Sequence, residues 1–169
     1  MSTKWNLDPT HSEITFSVKH MMISKVKGQF KTFNAEIESE DENFKNAKVN
    51  ATVQTESIDT NNADRDAHLK GEDFFNSGNY PTINFESNSL NEGVTGNLTL
   101  NGITKPITLE VDFGGIGQDP WGNTKAGFSF EGKIKRSDFG LNWNAALEAG
   151  GVLVSDDVKI AGELQFVKA

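Results

Sequence analysis

Apolar and polar positions alternate along most of the chain. Ile14, Phe16 and Val18 share one parity, and Thr15, Ser17 and Lys19 take the other. Ala47, Val49, Ala51 and Val53 repeat the pattern, followed by Ile83 and Phe85, then by Val94, Gly96, Leu98 and Leu100. Ile107, Leu109, Val111 and Phe113 continue it, as do Phe128, Phe130, Gly132 and Ile134, and finally Val158, Ile160, Gly162, Leu164 and Phe166. Period-two alternation puts one face of a strand inside and the other outside. About eight antiparallel strands are predicted.

The rhythm changes in a few places. Between Val26 and Glu38 the apolar parity flips, from Val26, Gly28 and Phe30 to Phe33, Ala35 and Ile37, which predicts a bulge or bend near Lys31-Thr32. Asn101-Gly102 is a type I′ hairpin signal, since both positions must take positive φ. Asn91-Glu92-Gly93 and Gly114-Gly115 predict further turns. Asn61 to Phe74 reads as a helix with an N-cap at Thr60 or Asn61, and Ser137 to Asp157 reads as irregular. No repeat, low-complexity tract or linker divides the chain, so residues 1–169 are expected to form a single domain.

A sandwich or a barrel satisfies this strand count. The interior of an eight-stranded barrel is either filled by side chains or open to one small ligand. The alternating stripe fits both readings equally. Gly96, Gly132 and Gly162 each remove a side chain from an inward position, which favours space.

Charge narrows the partners. Sixteen Lys and Arg against 24 Asp and Glu leave a net charge of −8, which argues against nucleic acid and against anionic lipid surfaces. The absence of Cys excludes disulfides, thiol catalysis and thiolate metal sites. No apolar run is long enough for a transmembrane helix. The start, Met1-Ser2-Thr3-Lys4-Trp5, has no basic and apolar leader, so a cytoplasmic location is expected. Asn50-Ala51-Thr52 and Asn97-Leu98-Thr99 match the glycosylation triplet but fall inside predicted strands.

Polar chemistry is sparse. Asp64 and His68 stand at i, i+4 on the predicted helix, which suits a metal half-site, a head-group contact or a plain surface charge pair. His11 with Ser12, or His20 with Ser17 or Ser24, would be needed for a nucleophile–base pair, yet no G-x-S-x-G elbow is present. His20 continues the parity of Phe16 and Val18, which points it inward near a barrel mouth. Trp5, Trp121 and Trp143 read as anchors, with the pocket rim as a second place for Trp143. Gly114-Gly115-Ile116-Gly117 lacks a phosphate-loop lysine. Glu38-Ser39-Glu40-Asp41-Glu42 reads as a solvated hairpin loop without calcium-loop spacing.

An ordered set of motifs resembles the YceI family of lipid-binding proteins. The set opens with Trp5-Asn6-Leu7-Asp8-Pro9-Thr10-His11-Ser12, Phe16-Ser17-Val18-Lys19-His20 and Val26-Lys27-Gly28-Gln29-Phe30. It continues with Ile58-Asp59-Thr60, Arg65-Asp66-Ala67-His68-Leu69-Lys70, Phe74-Phe75 and Tyr80-Pro81-Thr82-Ile83. Asn97 to Ile107, Ser137-Asp138-Phe139-Gly140-Leu141 and Val158-Lys159-Ile160 complete it. The resemblance implies an all-β fold, an eight-stranded antiparallel lipocalin-like β-barrel with a short helical lid. It also implies non-catalytic binding of a long apolar molecule: a polyisoprenoid, a prenylated quinone or a fatty-acid derivative. Many relatives carry a secretion signal and are periplasmic.

On this reading Phe16, Val18, His20, Val53, Phe85, Leu98 and Leu100 line the ligand site, together with Leu109, Val111, Phe128, Phe130, Ile160 and Leu164. No catalytic residue, metal or cofactor is expected beyond a bound isoprenoid or quinone as ligand. Burying about twelve methylenes gives roughly 10 kcal/mol, against about 8 kcal/mol net for micromolar affinity. Association costs a comparable amount, so a long tail is favoured over a short one. The alternatives are a hydrolase or isomerase using His20 with Asp64 and His68, and a filled barrel acting as an interaction module. A homodimer is a further expectation, covering an edge strand or an exposed Phe74-Phe75 segment.

Overall fold

The computed structural model describes residues 2–20, 23–90, 92–141 and 154–169, with the main chain alone at His20 and Glu92. Its strands are β1 (Thr3–Leu7), β2 (Glu13–His20), β3 (Ser24–Phe30), β4 (Phe33–Ser39), β5 (Ala47–Gln54) and β6 (Ile58–Asp59). After the helix α1 (Ala63–Lys70) come β7 (Thr82–Ser87), β8 (Glu92–Leu100), β9 (Ile103–Gln118), β10 (Thr124–Lys135) and β11 (Val154–Lys168).

Pairing closes the sheet. β11 bonds to β10 on one edge; on the other it meets β2 from Val154 to Glu163 and β1 from Phe166 to Lys168. β1 and β2 therefore act as one strand, interrupted by the short turn Pro9–His11. β3 with β4, and β5 with β6, are broken strands of the same kind. Counted so, eight antiparallel strands follow in chain order and the last returns to the first. Closure satisfies edge groups internally, which removes the free edge strand offered above as a reason to dimerise.

The bend at Lys31-Thr32 falls where the parity flip put it, between β3 and β4. The main chain there bonds across to the β5–β6 break, with Lys31 N–H donating to Ser57 O and Gln54 N–H to Thr32 O. Asn101 and Gly102 take φ of 54° and 75°, as the hairpin requires. Gly114-Gly115 is not a turn. It lies inside β9, where Phe113 opposes Phe128 and Gly115 opposes Gly127, so Gly114 is the extra residue of a bulge. The chain reverses later, at Asp119 to Asn123. Glu92-Gly93 likewise begins β8 rather than forming a turn, and Asn91 lies outside the described residues.

The helix is shorter than the pattern suggested. Its N-cap is Asn62, whose side-chain oxygen accepts from Arg65 N–H at 3.0 Å. Thr60 is engaged elsewhere, bonding through its main chain and hydroxyl to Asp66 Oδ1 and accepting from Arg65 Nε, while Asn61 takes a left-handed φ of 63°. After Gly71 the chain turns tightly and brings Phe74 and Phe75 back toward the barrel. The Ser137–Asp157 segment is more regular than expected at both ends. A short turn spans Arg136–Phe139, and β11 begins at Val154 with an offset in its pairing to β2 before Val158.

Candidate functional site

The barrel encloses a cavity of about 600 Å³, within the range of roughly 300–1,000 Å³ usual for ligand sites. Its wall is almost wholly apolar. Phe16 and Val18 of β2, Val53 of β5, Phe85 of β7, and Leu98 and Leu100 of β8 face it. So do Leu109 and Val111 of β9, Phe128 and Phe130 of β10, and Ile160 and Leu164 of β11. His20 ends β2 opposite Ser24 and Val154, and its side chain lies outside the described atoms. Phe16, Val18, Phe85, Phe130, Ile160 and Leu164 are only half-buried although they point inward. Their residual exposure is exposure to the lumen.

The inward glycines do not leave gaps. A methyl at Gly162 would collide with the Phe130 ring, one at Gly96 with the Phe85 ring, and one at Gly132 with a Leu109 methyl. Each missing side chain is covered by a neighbour from the next strand. The two rings therefore lie along the wall instead of projecting across the lumen. The space arises in the middle of the barrel because the aromatics fold flat.

One end is sealed. Phe44, in the β4–β5 loop, is fully buried and meets the rings of Trp5, Phe113 and Phe128 at centroid distances of 5.4, 5.3 and 4.9 Å. Phe166 adds a further edge-to-face contact on Phe128. Phe44 holds a φ of 61°, a conformation that costs a non-glycine residue and that its aromatic packing offsets. No pattern signal marked Phe44, because it sits in a polar loop. That loop is not wholly solvated: Ser39 is buried, donating to Asp41 O, and Asp41 caps Lys45 N–H.

The other end is roofed by α1, the following turns and the Arg136–Phe139 turn. Leu69, Phe74, Phe75 and Leu141 add apolar surface, while Asn62, Asp64, Arg65, His68 and Arg136 are the polar members of the cavity wall. Phe74 is buried and Phe75 half-buried, so this pair is a lid contact and not an exposed dimer patch. Arg65 fastens the lid to the end of β6, donating from Nε to the Thr60 hydroxyl and from Nη2 to Thr60 O. Arg136 is buried and donates to the carbonyls of Ser155, Leu141 and Val154. Burial pushes its pKa down, the Asp156 carboxylate opposes this, and an arginine stays charged throughout. Nothing in the alternating pattern could single out Arg136, since it follows the strand.

The polar residues weighed for chemistry are dispersed. Nε2 of His68 lies 3.0 Å from Asp73, not against Asp64, and its ring packs on Phe74. Nδ1 of His11 meets the Asp8 carboxylate, while the Ser12 hydroxyl donates to Asp8 O. Asp8 also accepts from Lys125 Nζ at 2.9 Å, which, with Thr10 and His11, holds its carboxyl well below the usual range against the effect of burial. This cluster ties the β1–β2 break to β10 on the outside of the sealed end. Among the described residues no group of three or more His, Asp and Glu is placed to hold a metal ion. Trp5 is buried, but Trp121 is 83% exposed on the β9–β10 turn and anchors nothing. Trp143 lies outside the described residues.

The YceI-like domain family matches residues 5–166. A UPF0312 protein of Staphylococcus epidermidis is 40% identical over 166 residues, covering 97% of each chain. A YceI protein of Campylobacter jejuni superposes with a TM-score of 0.75 at 35% identity, over 89% of this chain and 90% of that one. A polyisoprenoid-binding domain from Saccharophagus degradans, implicated in plant cell wall breakdown, gives a TM-score of 0.74 at 15% identity, over 98% of both chains. This last likeness is one of fold.

Proposed function

The chain belongs to the YceI-like family, and from that premise we infer that it is a carrier that buries one long apolar molecule without transforming it. The observation that carries this reading is the lumen: about 600 Å³, apolar along the strands, sealed by aromatics at one end and polar only at the lid. Such a shape takes a chain lengthwise, with its tail toward Phe128 and its head toward α1. Specificity comes from the length and bore of the lumen, and a few polar groups at the lid position the head. The name borne by the Saccharophagus degradans domain supports a polyisoprenoid, with a prenylated quinone or fatty-acid derivative in the same class. Phe16, Val18, Phe85, Phe130, Ile160 and Leu164 are the proposed contacts, since they remain exposed to the lumen.

Native mass spectrometry on gently purified protein, followed by solvent extraction, tests this. The expected result is a stoichiometric adduct whose mass matches a prenyl or acyl chain. A clean ligand-free mass, under conditions that retain a lipid on a control carrier, would overturn it. Phe130→Arg is expected to lose the adduct while the outward neighbour Glu131→Gln keeps it.

A further inference from the structure

Acidic as the chain is, its charge is not evenly spread. Lys19, Lys25, Lys27 and Lys159 all lie exposed on the outer face of three adjacent strands, β3, β2 and β11. Lys19 stands directly opposite Lys25, Lys27 opposite Ser17, Ser17 opposite Lys159, and Lys159 opposite Lys133. Like charges facing each other across a sheet destabilise it. Here the sheet contains two such pairs side by side. Lys133 is relieved by Asp157 at 3.5 Å. Among the described residues Lys19, Lys25, Lys27 and Lys159 form no ion pair with a carboxylate. Acids stand near this end as well: Asp157 is engaged with Lys133 and Asp156 with the amide and hydroxyl of Ser137, while Glu110 and Glu131 share the outer surface with Lys27 and Lys159, farther from Ile23 than Lys19 and Lys25.

The same hairpin carries the most exposed large apolar side chain among the described residues. Ile23 follows the end of β2, beyond the point where β2 meets the first described residue of β11, and is 84% exposed. Val18 and Val26, just behind it on the inner face, line the lumen. Exposed Ile23 therefore stands at the rim of the barrel between the lysine-bearing strands β2 and β3, at the end away from the Phe44 seal.

We propose that this rim, formed by the β2–β3 hairpin and the adjoining face of β11, docks on a bilayer that contains anionic lipid, with Ile23 entering the interface and the lysines contacting head groups. Net charge does not forbid it. The screening length near physiological salt is about 8 Å, so the carboxylates of Glu38 to Glu42 at the opposite end are little felt at the contact. Each lysine close to an anionic surface adds about five-fold to binding. The docking surface stands apart from the contents of the lumen, but its position sets the lumen's rim against the bilayer, where apolar molecules are stored.

The test is flotation of the whole protein with vesicles of phosphatidylcholine and phosphatidylglycerol in equal parts, and with phosphatidylcholine alone. Binding to the first and not the second, weakening as salt is added, is the expected result. The pair Lys19→Gln and Lys25→Gln should lower affinity about 25-fold, at roughly five-fold per lysine, and Ile23→Ser should weaken it without changing the salt dependence. Lys45→Gln with Lys48→Gln, near the sealed end, should leave it unchanged. Wild-type protein that binds both vesicles equally, or neither, overturns the proposal, as does equal loss in the two lysine pairs. Binding to a single-stranded RNA and to neither vesicle would likewise overturn it, giving the patch to a different polyanion. Each variant is read alongside its thermal midpoint, so loss of fold is not mistaken for loss of docking.

Discussion

At the sealed end Phe44, Phe128 and Phe166 meet edge to face and close the lumen. At the lid end Phe16, Phe85 and Phe130 point to the same interior and remain half-exposed around a void. The residue type is the same and so is the parity along the strands. What differs is what reaches in from outside the sheet. A loop folds Phe44 into the first end as a plug. At the second end the rings lie back over Gly28, Gly96 and Gly162, and among the described residues α1 and the turns after it cover the cavity. The filled barrel and the hollow barrel are thus both present, one at each end.

The comparison is sharpest in two aromatic truncations. Phe44→Ala should cost about 4 kcal/mol in chemical denaturation, since it opens a cavity in a close-packed site. Phe130→Ala should cost clearly less, roughly 1–2 kcal/mol, because one face of that ring already lacks packing partners. Equal costs would break the distinction between a filled and a hollow end.

A smaller effect separates the ends by pH. Asp8 braces the sealed end through Lys125, and Asp8→Asn should cost about 2 kcal/mol at neutral pH. The folded pKa of Asp8 is depressed, so its contribution is present above the ordinary carboxylate value and is lost as pH falls below about 4. The gap between wild type and variant should therefore close in acid; a gap independent of pH would mean that the carboxylate charge is not what stabilises. Smallest is the lid. Asn62→Ala removes the helix cap and should cost about 1 kcal/mol, read as faster hydrogen exchange in α1 with the amides of β10 unchanged.

The strands were legible because a barrel wall has one wet and one dry face, and period two records that directly. The bend at Lys31-Thr32 and the Asn101-Gly102 hairpin were legible for a local reason, a parity flip in one case and a pair of positive φ angles in the other. Gly114-Gly115 misled because two glycines suit a bulge as well as a turn, and only the partner strand decides between them. Phe44, Arg136 and the Phe74-Phe75 lid contacts were hidden, since each lies off the alternating segments and owes its burial to residues far along the chain. His68 was noted for Asp64, four residues before it, yet it meets Asp73 beyond the helix end.

The sequence alone determined the class of fold, the inward face of each long strand and the apolar character of whatever lies between them, because these depend on neighbours one or two residues apart. Tertiary structure decided closure, which joins β11 to β1 and β2, and so created an inside at all. It also decided how much of that inside is empty: whether an inward ring meets another ring or a void depends on which loops and glycines stand across the barrel. It gathered lysines from three strands onto one rim of a chain whose net charge is −8, since charge is summed along a sequence but felt only over the few ångströms that separate neighbours in space.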